Sequence, residues 1–589
     1  MKKKSFNKII GTEVKRMLCL QPVKGVKSVA VCFITAALSA GYTVFFKELV
    51  ERLSFSVGKE GMLQYVLQCF LMFSALLLSN DLINAVLNYQ LDKQRMYLQG
   101  SLKNVFFRKV QEIPIVEFEK SEVLDALNKA NAGMEGCVST LVYLQIILGN
   151  SVFYMVLITG YLVSIHPLLS LVVLSVLIPT TISYFLKRKL RDEAENQSAV
   201  LRRRMSNAEI SICNREYFKE TRHLQAVEYF KKRYTKALDE YISVRKKEAR
   251  RRYRINLLLD LSRFLGFMLT IALMCFLVYK REISVGSIAA VIVTVNTLYS
   301  KLNEMFGYHI AGVVDAYTGL QNFHKIMCMD VPQKESVEVA EFNNLSINDV
   351  SFRYPNAEKN ALNHINLQIV KGETICVVGE NGSGKSTLSK ILLGLYAPTG
   401  GNVSLNGNKI SDGSMWRLRN EGAAVFQDYN SYALSLEENI FIGDITQFNN
   451  IPTKDVLQEQ GIECLAEELP EKEKTMLSKE FDGTDLSQGQ WQRIAIARGM
   501  MKKAGFIIMD EPTAAIDPQL EMELLQRMLS DCKHATKVII THRIGIATKA
   551  DRILVMEHGE LIEQGTHEEL MKKNGEYARL FRLQSQWYQ

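Results

Sequence analysis

The chain has 589 residues, enough for about four compact domains, or fewer where part of it lies in a bilayer. Hydrophobic residues make up 47% and charged residues 23%, which excludes a disordered, collagenous or small disulfide-stapled protein. The net charge of +8 leaves a nucleic acid, a membrane surface or no specific partner open, and the placement of the basic residues has to decide.

Six apolar segments occupy the first half, at about 28–46, 62–90, 136–165, 168–186, 256–279 and 283–300. Each meets or approaches the ~20 residues a membrane helix needs. The third and fourth share one uncharged stretch that His166-Pro167 divides by a very tight turn. The first segment is too long, and begins too late, for a cleaved signal peptide.

Basic residues give the orientation. The start of the chain carries Lys2, Lys3, Lys4, Lys8, Lys15, Arg16, Lys24 and Lys27. The 187–255 segment opens Lys187-Arg188-Lys189, includes Arg202-Arg203-Arg204 and closes with Arg250-Arg251-Arg252-Tyr253-Arg254. The opposite-side connections, 51–61, 166–167 and 280–282, are short. A helical membrane domain over 1–329 is therefore expected, with its N-terminus, both long loops and the rest of the chain in the cytoplasm. Basic runs that flank membrane spans argue against a nucleic-acid partner.

The long loops, 91–135 and 187–255, show apolar residues at helical spacing, as at Leu124, Leu127 and Ala130. They read as helical extensions of the spans, each with a turn at its tip, near 119–130 and 213–222. Asp81 falls at the edge of the second segment, while Asp260 and Arg263 share a helix face in the fifth. These charges fit either a cavity contact or a local ion pair. The 10 cysteines are scattered without a CxxC pair, which predicts neither a zinc site nor a disulfide framework.

A polar linker, 330–344, precedes a stretch that alternates strand and helix to residue 589. The apolar strand at 375–378 runs into Gly379-Glu380-Asn381-Gly382-Ser383-Gly384-Lys385-Ser386, and a helix is predicted over 385–392. This is G-x-x-x-x-G-K-[ST] between strand and helix, the context in which the motif cradles phosphate. Backbone N–H groups close round the oxygens, the helix start adds partial positive charge, Lys385 reaches the β- and γ-phosphates, and Ser386 binds Mg2+. Thr387 follows in the same helix turn. A second apolar run, Phe506-Ile507-Ile508-Met509, ends in Asp510-Glu511. The first carboxylate can hold the Mg2+ shell, and the second can polarise a water for attack on the γ-phosphate. Neighbours on a strand point to opposite faces, so the chain has to turn at this strand end.

Between these motifs lies Leu486-Ser487-Gln488-Gly489-Gln490, followed by Trp491-Gln492-Arg493. Here the sequence resembles the ATP-binding cassette (ABC) family, from about residue 345 onward. Gln488 stands where that family usually has glycine, while Ser487, Gly489 and Gln490 keep its pattern. The resemblance implies that Tyr354 stacks on adenine, and that Gln427, in Val425-Phe426-Gln427-Asp428, joins the Mg2+ shell. It further implies that His542 contacts the γ-phosphate and that the loop Ala514-Ala515-Ile516-Asp517 crosses to a partner. Each ATP is then held between the phosphate loop of one chain and Ser487 and Gly489 of another, so two half-transporters are implied, as a homodimer or a heterodimer.

Six spans ahead of one such domain resemble the exporter branch of the family. The expected fold is an α-helical membrane domain with six transmembrane helices and long cytoplasmic extensions, plus an α/β P-loop nucleotide-binding domain. The expected function is ATP-driven export across the cell membrane by alternating access. The runs 426–440 and 479–492 resemble exporters of lantibiotics and other modified peptides. A peptide cargo is thus expected, with a lipid or drug exporter and a non-pumping membrane ATPase as alternatives. Too few residues precede position 28 for a leader-cutting peptidase, so a separate protease is expected for any precursor peptide.

Overall fold

A computed structural model of the chain describes residues 3–56, 62–214, 217–332, 341–448, 450–512 and 536–585. It divides into two compact units, one of residues 1–109 and 126–328, the other of residues 110–125 and 329–589.

The first unit is helical. Its helices are α1 (Lys3–Leu20), α2 (Pro22–Ser56), α3 (Met62–Glu112), α4 (Ser121–Ile146), α5 (Phe153–Ile165), α6 (Ser170–Cys213), α7 (Phe218–His223), α8 (Val227–Tyr279), α9 (Val285–Glu304) and α10 (Ala311–Met327). Among the described residues, four stretches are long and apolar enough to cross a membrane: Pro22–Leu53, Leu63–Glu112, Ser121–Ile165 and Val227–Tyr279. The expected fourth and sixth segments are helical in α6 and α9 without being among those four.

The unit's main core joins α2, α5, α8 and α9 through Ala36, Tyr154, Ile158, Leu162, Met274, Leu298 and Leu302. Two π-helical turns, Ile147–Val152 and Met305–Ile310, interrupt the otherwise regular helices. At the first, Asn150 donates to Thr35 (2.7 Å) and accepts from Lys301 (2.7 Å). A buried amide thus joins three helices that apolar contact alone would leave free to rotate. His166 breaks the helix before Pro167, where a single 3-10 turn leads into α6, because proline has no N–H and restricts the residue before it.

The long loops are helical, as their periodicity predicts. The tip of the first, however, lies earlier than the expected 119–130. α3 stops at Glu112, Pro114 is extended (φ −56°, ψ 137°), a 3-10 turn covers Ile115–Glu119, and α4 has resumed by Ser121. Pro114 sets that break for the reason just given. In the second loop α7 fills most of the expected tip, and the reversal into α8 follows at 224–226 with Gln225 at φ 52°.

The second unit is α/β. A four-stranded antiparallel sheet has the order β2-β1-β4-β5, from β1 (Asn344–Phe352), β2 (Leu362–Val370), β4 (Gly400–Leu405) and β5 (Asn408–Ile410). A six-stranded sheet has the order β10-β9-β3-β8-β7-β6. It consists of β3 (Thr374–Gly379), β6 (Gly422–Val425), β7 (Phe506–Asp510), β8 (Thr536–Ile540), β9 (Arg552–Glu557) and β10 (Glu560–Gly565). All its neighbours are parallel except β10 and β9. β3, β7 and β8 are buried along almost every residue, which explains their unbroken apolar sequence. Helix α11 (Lys385–Leu392) follows β3. The 110–125 segment packs within this unit: Val116 lies against its core, and the Tyr396 hydroxyl donates to the Glu119 carboxylate.

Candidate functional site

β3 delivers the chain into the glycine-rich loop. Gly379 has φ 154°, and a Cβ there would collide with the Met556 carbonyl of β9. Gly384, at φ 103°, is the residue before α11, a conformation that favours glycine. Between them the loop curls on itself, with the Ser383 N–H donating to the Glu380 carbonyl at 3.2 Å. Lys385 opens α11 and is 6% exposed. Its ammonium donates to the carbonyls of Gly379 (2.9 Å) and Glu380 (2.8 Å). Burial holds its pKa below the ordinary lysine value, against the pull of Glu511 and Asp510. Asn381, Gly382, Gly384, Lys385, Ser386 and Thr387 line the adjoining cavity.

The strand order assembles the remainder. β3, β8, β7 and β6 are consecutive and parallel, so the residues just past their carboxyl ends share one edge, where open α/β sheets bind ligands. β8 leads to His542, β7 ends in Asp510-Glu511, and β6 is followed by Gln427. Glu511 leaves β7 at φ 48°, a left-handed conformation rare for a non-glycine residue, while its N–H still donates to the Ile540 carbonyl (2.9 Å). That turn brings its carboxylate round to the cavity. His542 Nε2 lies 2.5 Å from Glu511 Oε1, and Gln427 Nε2 donates to Glu511 Oε2 at 3.1 Å.

Asp510 is 7% exposed. Burial raises its pKa, partly offset by the hydrogen bond it accepts from Ser386. Its Oδ1 is buried without a hydrogen-bond partner among the described residues. An orphaned carboxylate oxygen beside a serine hydroxyl is a donor pair suited to a hard divalent cation. Gln427 is oriented to Glu511 rather than to this pair.

The cavity measures about 970 Å³. Its lining includes Tyr354, Lys385, Ser386, Thr387, Gln427, Glu511 and His542. The Tyr354 hydroxyl is 3.1 Å from Thr387 Oγ1, and its ring meets Tyr396 edge-on at 5.8 Å. The wall also contains residues that no motif marks: Glu358, Lys359, Asn360 and Ala361 from the β1–β2 connection, Asn363 from the start of β2, and His558 and Gly559 from the β9–β10 turn.

Ser487, Gly489 and Gln490 do not line this cavity. Ser487 caps the helix Gln488–Met501, accepting from the Gln490 N–H (3.3 Å) while its own N–H donates to Gln490 Oε1 (2.8 Å). Two side chains that sequence patterns passed over tie this helix to the site. Tyr429, two residues past Gln427, donates to the Gln488 carbonyl at 2.8 Å. Gln492 donates to the Pro512 carbonyl at 2.6 Å, just past Glu511. Their signal was only proximity to a motif. Ala514-Ala515-Ile516-Asp517 lies outside the described residues.

Residues 362–514 match the family model described as ABC transporter. The chain is 27% identical over 561 residues to the subtilin transport ATP-binding protein SpaT of Bacillus subtilis, covering 94% of this chain and 90% of the relative. It is 31% identical over 374 residues to the nisin transport ATP-binding protein NisT of Lactococcus lactis subsp. lactis, covering 62% of each. Its fold matches a bacterial Atm1-family ABC exporter solved with ATP bound, with TM-score 0.78 and 19% identity over 95% of this chain and 99% of that one. The chain thus carries an ABC transporter ATP-binding domain within residues 362–514 and shares the fold of an Atm1-family ABC exporter along nearly its whole length.

Proposed function

We propose that the chain is one half of a dimeric, ATP-driven exporter that moves a peptide, of the modified-antibiotic class, out of the cytoplasm. The observation that carries the ATPase part is the convergence of Lys385, Ser386, Glu511, Gln427 and His542 on one cavity at the carboxyl edge of adjacent parallel strands, with Asp510 buried at the end of β7. The loop and α11 hold the polyphosphate, and Tyr354 takes the base. Glu511 accepts the proton of the attacking water, with His542 and Gln427 fixing its carboxylate. Ser386 and Asp510 would hold Mg2+, which supplies charge neutralisation at the phosphates.

Ser487 and Gly489 serve a second copy of the chain, where the start of the Gln488–Met501 helix meets the γ-phosphate. ATP closes the pair because it binds the closed state better. The Ile113–Lys120 tip, packed on the α/β unit through Val116 and Glu119, carries that motion to the helices. α2, α3, α4 with α5, α6, α8 and α9 form the six spans, and the basic flanks keep the nucleotide side in the cytoplasm.

The peptide cargo is supported by the match to SpaT, in which the 561 aligned residues extend well beyond the ATP-binding domain into the helical unit. The test is uptake into inside-out vesicles containing the purified protein. Accumulation of a precursor lantibiotic with ATP supports the reading. Accumulation of lipid or drug instead changes the cargo, and hydrolysis without accumulation of anything removes the pump.

A further inference from the structure

The helix Glu576–Ser585 touches the phosphate site at two points. Its start is anchored firmly: the Glu563 carboxylate of β10 accepts from the N–H groups of Glu576 (2.8 Å) and Tyr577 (3.1 Å). Tyr577 is fully buried against Cys376 and Val378 of β3 and Val555 of β9, with Leu580 and Phe581 packed alongside, and its hydroxyl meets His567 Nδ1 at 2.7 Å. The helix is thus fixed to the back of the strand that carries the phosphate loop.

From this base the Arg579 guanidinium donates to Glu380 Oε1 at 2.6 Å and is held in place by Glu576 at 2.7 Å. Glu380 is in the loop itself, and its carbonyl is one of the two that hold the Lys385 ammonium. Five residues on, about 7.5 Å along the axis, the Gln584 amide donates to the His542 carbonyl. His542 in turn meets Glu511.

We infer that this helix is a strap that positions both ends of the ATP site: Arg579 sets Glu380 and, through it, Lys385, while Gln584 sets His542. Arg579 and Gln584 are positioning residues, since neither lines the cavity. The Arg579 contact also neutralises a carboxylate that would otherwise stand unpaired beside incoming polyphosphate. This inference rests on the reading of the cavity as an ATP site.

The two arms separate kinetically. Arg579 governs a group that meets ground-state phosphate, so its loss raises KM. Gln584 governs the histidine beside the base, so its loss lowers kcat. The test is steady-state ATPase of the full-length protein against ATP concentration, with a melting temperature for every variant. Arg579→Ala is expected to raise KM about two- to five-fold, the scale of an exposed ion pair, with kcat held. Arg579→Glu raises KM further, and Arg579→Glu combined with Glu380→Arg brings it back toward the parent. Gln584→Ala lowers kcat about two- to five-fold with KM held. Arg582→Ala, on the exposed side of the same helix, changes neither.

An unmoved KM in Arg579→Glu, no recovery on the charge swap, or an unmoved kcat in Gln584→Ala overturns the strap. So does a fall in activity that only follows the melting temperature. A parent protein that neither binds nor hydrolyses ATP overturns the site reading instead, and the two failures are therefore distinct.

Discussion

Glu511 occupies a backbone conformation that costs a non-glycine residue on the order of 1–3 kcal/mol, and it holds this conformation with an intact N–H bond to Ile540 and both carboxylate oxygens engaged. The turn brings the Glu511 carboxylate into the cavity lining, whereas on a straight strand it and the buried Asp510 would point to opposite faces. Glu511→Gln preserves the shape and removes the proposed base. Turnover is expected to fall about 100-fold or more, while ATP stays bound, as read by phosphate release and by nucleotide retained on the purified protein. Undiminished release would remove Glu511 from its assigned role.

Asp510 gives a pH prediction with a definite sign. Burial raises its pKa, so protons compete for its oxygens at a higher pH than at an exposed aspartate, and the cation needs the deprotonated form. The Mg2+ concentration giving half-maximal ATPase is therefore expected to rise as pH falls through this raised range, and excess Mg2+ to restore the rate. A Mg2+ requirement independent of pH on the acid side would exclude Asp510 as a ligand. Lys385 is shifted the other way: burial lowers its pKa, so its charge is lost earlier as pH rises, and with it the ammonium that meets phosphate. The KM for ATP is accordingly expected to climb on the alkaline side below the ordinary lysine range, measured at saturating Mg2+.

At the scale of elements, α3 runs unbroken for 51 residues, and its end was legible in the sequence at Pro114. Reading helical periodicity alone places the turn too late. A less legible feature is the crossing of α4 and α10. A Cβ on Gly133 would sit 2.5 Å from Gly319 Cα, so the two backbones meet where neither can carry a side chain. A glycine in a helical pattern announces nothing without its distant partner. Gly133→Val is expected to destabilise the helical unit by at least about 1–3 kcal/mol, the scale of overpacking, read as a lower melting temperature in detergent, with ATP binding by the α/β unit retained. An unchanged melting temperature would mean that α4 and α10 are not pinned at this point. The signature helix shows the same limit. Leu486–Gln490 was recognisable, but the links from Tyr429 to Gln488 and from Gln492 to Pro512 depend on side-chain direction, which spacing does not reveal.

At the scale of the whole molecule, Ser487 lies off the cavity that Lys385 lines, so a complete site is expected to need two chains. Lys385→Ala and Ser487→Arg are each expected to abolish hydrolysis alone. Mixed before assembly, they form a dimer with one intact site and regain activity. Mixtures that stay inactive, given proven co-assembly, would exclude a shared seam.

The phosphate loop, the strand ending Asp510-Glu511, the Leu486–Gln490 run and the four long apolar helical stretches were all visible beforehand, because each is a contiguous run in which residue type, spacing and polarity act locally along the chain. Which of those runs become neighbours was settled by the pairing order β3-β8-β7-β6. That order gathers residues 385, 427, 510 and 542 along one edge, and hydrogen bonding between distant strands leaves no local trace. The turn at Glu511, the Gly133–Gly319 crossing and the grip of Arg579 on Glu380 arise in the same way: they are agreements between remote segments, and they exist only after the chain has folded.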